Sequence, residues 1–264
     1  MLNRLDHLVI LVRDLDQAVR GYEGLGFAVT PGGEHADGLT RNALIPFRDG
    51  SYFELVAFLD PEDPRENIWG WRAFLPSGGG LIDYCAASDD LGGDARTLEE
   101  RGLGVEGPTD GGRRLPDGTE IRWRVARIRQ DGRLLPFLIE DVTPRSLRVP
   151  SGPAAEHPNG ATGISRLELA ASEERAATRS LAALVGAPDA RAGSIRVGTC
   201  TLYPVTSRQE HGVRDHLTAA RSGPLAVGLA TEAPGEEKEL DRRLSNGVGI
   251  RLLRGTRAVP GVAR

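Results

Sequence analysis

The sequence has few cysteines, no long apolar stretch and no excess of positive charge. Its 264 residues contain two cysteines and carry a formal net charge of −4. Cys85 and Cys200 stand singly inside apolar runs, so zinc ribbons and dithiol redox motifs are excluded, and buried thiols in a reducing compartment are expected. The negative net charge argues against binding to nucleic acid.

Other absences narrow the class of protein further. No apolar run approaches the roughly 20 residues that cross a bilayer, so the sequence predicts no membrane partner. The N-terminus lacks the pattern of a secretory signal peptide, which favours a cytoplasmic protein. The sequence contains no GxSxG motif, P-loop or dinucleotide fingerprint, and we therefore expect no nucleotide cofactor.

What the sequence does contain is a repeated unit. Residues 5–12 alternate in polarity as a strand does, and Asp14 then caps a helix that ends at Gly26. Further strands are predicted around 27–30, 42–47 and 52–59, the last two joined by an Asp49–Gly50 turn. The order of elements in this unit is βαβββ.

The unit recurs without a gap at an offset of 76 residues, where 81–105 aligns with 5–29. The helix caps Asp14 and Asp90 coincide, as do the helix stops Gly26 and Gly102. A cap, a stop and a hairpin turn that recur in one order indicate an internal duplication.

Two weaker copies follow in the second half of the chain. The third copy begins at residue 164, and a shorter fourth copy, with a predicted helix at 236–244, ends near residue 253. The units therefore form two tandem pairs. The predicted domains are 1–145, a Pro/Gly-rich linker at 146–162, and a second, degenerate domain at 163–264.

Paired βαβββ units with a polar residue on the first strand and a glutamate on the fourth resemble the vicinal oxygen chelate superfamily, which includes glyoxalase I, extradiol dioxygenases and bleomycin-resistance proteins. The stretches LDHLVILVRDLD, TRNALIPFRDGSYFELVAF, IWGWRAF and LLPFLIED are most similar to glyoxalase-like domain proteins. The resemblance implies an α+β fold in which four βαβββ units pair into two tandem pseudo-barrels, the second pair being shortened and degenerate.

The resemblance also implies a divalent metal held in the groove of the paired sheets. Alternation along the first strand places Leu5, His7, Val9 and Leu11 on one face, which would be the groove face. Glyoxalase I and its relatives take two ligands from each unit, and the matching positions here are His7, Glu54, Asp83 and Glu140. A slip of one residue would present Asp141 in place of Glu140.

One imidazole and up to three carboxylates suit Mn²⁺, Mg²⁺, Co²⁺ or Zn²⁺. A ring-cleaving dioxygenase needs two histidines and one carboxylate, so a single histidine at the ligand positions argues against that activity. A groove without metal, in which hydrogen bonds stabilise the carboxylates, is the alternative.

The predicted function is that of an isomerase or lyase that acts on a small-molecule substrate with adjacent oxygens. The metal would act as a Lewis acid, and Glu54 or Glu140 would be the catalytic base. The substrate-binding candidates are Arg41, Asn42, Trp71 and Arg124. His35, in a loop near the groove mouth, is either a proton shuttle or an exposed histidine without a role.

Two alternatives stay open. The first is a non-catalytic small-molecule binder that sequesters a drug, as bleomycin-resistance proteins do. The second is that the degenerate pair of units serves only as a module for dimerisation, in which case the protein would be a homodimer, or as a stabilising module.

The second pair of units provides an internal control for the metal site. Arg166 falls where His7 stands, Leu202 where Glu54 stands, Arg251 at the position of the second glutamate, and Ala226 or Val227 at the remaining position. These residues cannot hold a cation, so we predict a second groove without metal, which either is closed by the pairing of Arg166 with Glu168 or holds an anion.

Overall fold

The computed structural model describes residues 2, 4–115, 117–187, 193–207, 213, 216–217, 222–233 and 236–254. It contains a closed eight-stranded barrel, built from the first pair of units, and a six-stranded sheet, built from the second pair. Helices cover the outside of both sheets, so the predicted α+β fold of paired units is confirmed.

The barrel is formed by eight strands and carries two helices. The strands are β1 (Arg4–Leu11), β2 (Thr30–His35), β3 (Thr40–Pro46), β4 (Tyr52–Phe58), β5 (Gly80–Ala87), β6 (Val105–Arg114), β7 (Glu120–Ile128) and β8 (Phe137–Asp141). The helices are α1 (Leu15–Gly24) and α2 (Leu91–Glu100). Around the barrel the strand order is β1-β4-β3-β2-β6-β7-β8-β5, and β5 pairs with β1 to close it.

The duplication holds in detail. Strand β1 begins at Arg4 and β5 at Gly80, and helix α1 begins at Leu15 and α2 at Leu91. Both pairs of starting positions differ by 76 residues. The predicted caps are present, because Asp14 accepts a hydrogen bond from the Gln17 amide and Asp90 from the Gly93 amide, each at 2.9 Å.

The pairing of β1 with β5 follows the internal duplication, because each strand has its β-bulge at the equivalent position. The register skips Asp6 in β1 and the corresponding Ile82 in β5, so each strand has one bulged residue. Because of the bulge, Leu5 packs with Leu8 in the large outer core instead of facing the groove, which corrects the predicted position of Leu5. Asp6 and His7 lie together on the inner side, where their side chains are in contact.

Two strands of the barrel do not follow the prediction. The segment 30–35, expected to be part of a glycine-rich loop, is the strand β2, and the glycine-rich segment 105–114 is the strand β6. They pair with each other at Glu34–Arg114 and His35–Arg113 and so close the barrel between the two units. Glycine is required where neighbours approach closely, since a Cβ on Gly32 would lie 1.9 Å from Asn42 Oδ1.

The linker packs against the barrel. It contains the one-turn helix α3 (Arg145–Arg148) and a short 3-10 turn at Gly152–Ala155. Further along, His157 accepts a hydrogen bond from the Ala28 amide at 3.0 Å and contacts the Pro46 carbonyl at 2.8 Å. The placement of the domain boundary at this linker stays a prediction.

The second half contains the helix α4 (Glu174–Val185) and the strands β9 (Ala161–Ala170), β10 (Ile195–Val197), β11 (Cys200–Val205), β12 (Gly223–Thr231), β13 (Lys238–Glu239) and β14 (Gly249–Arg254). The order in the sheet is β10-β11-β9-β12-β14-β13. Within the described residues no strand corresponds to β2 or β6, and this sheet stays open, as expected of a shortened and degenerate pair.

The prediction of a helix at 236–244 is wrong. The segment forms the two-residue strand β13 followed by turns, and the Leu240 amide bonds to the Ile250 carbonyl. Apart from Leu240, its side chains are exposed, including that of Leu244, so the segment buries a single apolar side chain. None of the helices in the described part of the chain is long and apolar enough to span a bilayer.

Candidate functional site

The interior of the barrel is apolar on one side and holds a polar cavity on the other. Val9, Leu11, Val56 and Phe58 pack together inside it, so the alternation predicted for β1 and β4 holds beyond the bulge. The cavity has a volume of about 170 Å³. Its polar lining comes from His7, His35, Asn42, Glu54, Arg113 and Arg148, and its aromatic lining from Tyr52, Trp69, Trp71, Trp123 and Phe137.

The carboxylate of Glu54 is the centre of the polar lining. One oxygen lies 3.4 Å from His7 Nε2, and the other lies 3.3 Å from His35 Nε2. The amide of Asn42 donates a hydrogen bond of 2.5 Å to that second oxygen. Burial alone would raise the pKa of Glu54, but the hydrogen bond from His35, the charges of both histidines and the Asn42 amide lower it to about 2. Glu54 is therefore ionised.

The orientation of His7 is fixed by its neighbours. Its Nδ1 lies 2.7 Å from Asp6 Oδ1, and its ring stacks on Tyr52 with 4.6 Å between the centroids. Burial would raise the pKa of Asp6, but Arg148 and His7 hold it well below its usual range, so Asp6 is ionised and accepts the Nδ1–H. The Nε2 of His7 is then left facing Glu54.

The linker supplies the floor of the cavity. The buried Arg148 donates hydrogen bonds to Asp6, to Asp141 and to the Tyr52 hydroxyl, at 2.9, 2.5 and 2.7 Å. Arg145 bonds to Asp6 as well. Two guanidiniums and two carboxylates are thus paired within this network, which balances its charge.

The other two predicted metal ligands do not join His7 and Glu54. Asp83 accepts a hydrogen bond from Trp71 Nε1 at 3.0 Å and pairs with Arg133 at 3.2 Å. Glu140 lies on the outer face of β8, where it pairs with Arg124 at 2.5 Å. Since Phe137 and Ile139 line the cavity, alternation turns Asp141 and not Glu140 inward, as in the alternative register.

Strand pairing identifies the true counterpart of Glu54. Glu54 stands opposite Val9 in β1, and the residue that stands opposite the equivalent Cys85 in β5 is Phe137. The sequence alignment of the strands that follow the two Asp–Gly turns placed Glu140 there by allowing the second loop four extra residues. The second unit therefore offers a phenyl ring where a second glutamate was expected.

A family model described as a glyoxalase-like domain matches residues 5–185 of the chain. The chain belongs to the glyoxalase-like domain family. This places it in the vicinal oxygen chelate superfamily.

Known proteins resemble this glyoxalase-like chain in sequence or in fold. The uncharacterized protein YwbC of Bacillus subtilis (strain 168) is 29% identical over 101 residues, which cover 38% of this chain and 72% of YwbC. A hypothetical protein from Staphylococcus aureus superposes with a TM-score of 0.72 at 15% identity, covering 94% of this chain and 98% of that one. A mutant of 4-hydroxymandelate synthase from Streptomyces coelicolor has a TM-score of 0.57 at 14% identity, covering 88% of this chain and 71% of that one. These structures share the fold.

One cluster in the described part of the glyoxalase-like chain has metal-ligand spacing, namely Asp6, His7 and Cys85. Two of its groups are poorly suited to bind a metal. Asp6 is paired with two arginines, and burial raises the pKa of the Cys85 thiol well above its usual value, which disfavours the thiolate that would bind a metal. His7 and Glu54 are better suited to a cation. With its Nδ1 held by Asp6, His7 turns its Nε2 toward the Glu54 carboxylate at 3.4 Å, so the two groups would both ligate a cation placed between them.

The substrate-binding candidates divide between the two faces of the barrel. Asn42 and Trp71 line the cavity, whereas Arg41 points to Asp16 outside and Arg124 to Glu140 outside. Sequence reasoning missed Arg113 and Arg148. Arg113 was missed because the glycine-rich sequence of β6 does not indicate a strand. Arg148 was missed because nothing in its sequence context indicates that a linker residue enters the barrel.

Proposed function

We propose that this glyoxalase-like protein is a divalent-metal-dependent isomerase or lyase that acts on a small molecule with adjacent oxygens. The observation that carries the proposal is the contact of His7 Nε2 with the ionised Glu54 carboxylate at 3.4 Å, with Asp6 fixing the tautomer of His7 from behind. A carboxylate behind a ligand histidine is the usual support of a metal-bound imidazole.

His7 and Glu54 would hold the ion, and a bound divalent ion supplies Lewis-acid polarisation of a carbonyl oxygen. Asn42 keeps the Glu54 carboxylate in place through its amide. The low pKa of Glu54 makes this carboxylate a better ligand than base, so the proposal assigns proton transfer to His35 instead of Glu140. His35 Nε2 faces the cavity, and Thr40 Oγ1 holds its Nδ1 at 2.7 Å.

The volume of the cavity argues against the drug-sequestering alternative. Sites for drug-sized ligands usually enclose about 300–1,000 Å³. The cavity of about 170 Å³ suits a molecule of roughly ten non-hydrogen atoms.

Metal analysis of matched variants tests the proposal. We expect the purified, metal-reconstituted protein to hold one divalent ion, and both His7→Ala and Glu54→Gln to lose it. Glu140→Gln is the control, because Glu140 lies outside the barrel. An ion retained in Glu54→Gln, or a wild-type protein that takes up none, would contradict the proposal.

A further inference from the structure

The cavity contains a buried guanidinium that forms no salt bridge with any carboxylate among the described residues. Arg113, on β6, is 4% exposed and lines the cavity. Its two terminal nitrogens donate to the Asn42 side-chain oxygen at 3.3 Å and to the Arg148 carbonyl at 2.7 Å, both neutral acceptors. Its Nε is buried without a hydrogen-bond partner.

This arrangement differs from that of the other arginine in the cavity wall. Arg148 is paired with Asp6 and Asp141, whereas no carboxylate in the described part of the chain lies within salt-bridge distance of Arg113. Burial lowers the pKa of Arg113, yet a guanidinium keeps its charge at any pH that proteins encounter. An unpaired buried charge and an orphaned donor are both costly, so the site is incomplete without an anion.

We propose that Arg113 seats the carboxylate of the substrate, and that the substrate is a small carboxylic acid with an apolar body. This rests on the proposed function, because it takes the cavity to be the substrate site. The Asn42 side chain joins the two parts of the site, since its oxygen accepts from Arg113 while its nitrogen donates to Glu54. A carboxylate on Arg113 therefore places the adjacent carbon atoms beside Glu54 and His7.

The remaining walls define the rest of the molecule. Trp69, Trp71, Trp123 and Phe137 form an apolar surface, and a cavity of about 150 Å³ is known to hold one benzene ring. Asp37 and Asp110 are exposed at the cavity mouth and would repel a phosphate ester, which carries more charge than a carboxylate. The fitting ligand is therefore a monoanion with a body the size of a phenyl or short branched alkyl group.

Intrinsic fluorescence can report on this cavity directly. The chain has three tryptophans, and all of them line the cavity. We would titrate metal-free protein, in chelator, with phenylacetate and with its neutral isostere phenylacetamide, and repeat the pair with isobutyrate and isobutyramide. The expected result is a dissociation constant at least about tenfold lower for the acid than for the amide in one of the pairs.

Variants then assign the preference to one side chain. Arg113→Gln should weaken binding of the acid by about 10- to 100-fold and leave the amide within a fewfold. Arg114→Gln is the matched control, because Arg114 is exposed and pairs with Glu120 on the outside. If Arg113→Gln fails to fold, Arg113→Lys keeps the charge but loses the Nε donor, and it should show a partial loss.

The outcomes separate this inference from the proposed function. Glu54→Gln should lose the metal but bind the acid as tightly or more tightly, because it removes a negative charge beside the ligand. Equal affinities for acid and amide in the wild-type protein, no binding of either, or an acid preference that survives Arg113→Gln would each overturn the inference, whatever the metal content. A wild-type protein that takes up no divalent ion on reconstitution but still prefers the acid would overturn the proposed function alone.

Discussion

The barrel and the open sheet are built on the same strand pair but carry different chemistry. In the sheet, β9 and β12 pair antiparallel and skip Ser165 and Leu225, just as β1 and β5 skip Asp6 and Ile82. The residue that follows each bulge can therefore be matched, and so can the fourth-strand residue that stands opposite the position two residues further along the same strand. They are His7, Glu54, Asp83 and Phe137 in the barrel, and Arg166, Tyr203, Ala226 and Arg251 in the sheet.

The matched positions show that the fold does not dictate the site. Where His7 meets Glu54, the guanidinium of Arg166 stacks on the ring of Tyr203 at 4.1 Å. Tyr203, and not the predicted Leu202, is the counterpart of Glu54. The predicted pair of Arg166 with Glu168 is present at 2.9 Å. A bulged strand pair thus serves both as a support for ionisable groups and as an ordinary part of a sheet.

The largest expected effect comes from the buried charges of the barrel. Arg148→Ala leaves Asp6 buried without its main partner, and we expect the free energy of unfolding to fall by about 3–5 kcal/mol. Arg166→Ala, in the sheet, removes a side chain that is 39% exposed and should cost clearly less. Chemical denaturation of both variants measures the difference. Equal losses would show that the two halves are stabilised in the same way.

Phe137→Glu tests whether the phenyl ring limits the metal site. The substitution places a second carboxylate at the counterpart of Glu54, and without metal we expect a loss of about 3–5 kcal/mol from the lost ring and the buried charge. Zn²⁺ should restore part of this stability and raise the melting temperature more than it does in the wild-type protein. Arg251→Glu, at the matching position of the sheet, is the control and should show no response to Zn²⁺. If Zn²⁺ raised the melting temperature of Arg251→Glu but not that of Phe137→Glu, the metal site would lie in the sheet and not in the barrel.

The linker histidine that joins the two halves should give a smaller, pH-dependent effect. Burial lowers the pKa of His157 below its ordinary value of 6.5, against a smaller opposing effect of the Pro46 carbonyl that the ring contacts. The unfolded chain then binds a proton at a higher pH than the folded chain does. Stability is fully present above pH 6.5 and declines as the pH falls through the folded pKa.

We expect this contribution to be smaller than the losses at Arg148 and Phe137, and to be absent in His157→Gln. Denaturation curves at several pH values between neutrality and mild acid measure it. A stability that rises as the pH falls over this interval would contradict the assignment. Glu54 titrates at much lower pH and does not interfere.

The smallest expected effect is that of transplanting the site. The double substitution Arg166→His and Tyr203→Glu recreates the His7–Glu54 pair on the bulged strand of the sheet. We expect it to bind no divalent metal, because Ser165 replaces Asp6 behind the histidine and no strands corresponding to β2 and β6 enclose the pair in the described sheet. Isothermal titration with Zn²⁺ decides the matter. Measurable affinity would show that the enclosing strands are dispensable.

Much of the fold could be predicted from local sequence, because caps, helix stops and turns act over a few residues. Asp14, Gly26 and Gly50 behave as predicted, and they fix the repeat. The closing strands could not be predicted, because glycines such as Gly32 and Gly111 are present for the close approach of Asn42 and Trp123, which the sequence does not reveal.

Only the part of the candidate site that comes from the first βαβββ unit could be predicted from the sequence. Alternation on β1 and β4 identified His7 and Glu54, since two strands of one unit share a known register. Glu140 failed because its register depends on a loop of different length, and a shift of one residue moves a side chain to the other face. Arg113 and Arg148 come from a hidden strand and from the linker, and no short-range pattern leads to either.

The contact between Asp6 and Arg148 spans 142 positions of the chain. During synthesis, therefore, the first strand leaves the ribosome long before the residue that neutralises it. Until helix α3 has emerged, a barrel whose eight strands are all available would have to bury the Asp6 carboxylate without Arg145 or Arg148. Completion of the barrel is thus coupled to the arrival of the segment that also begins the second half.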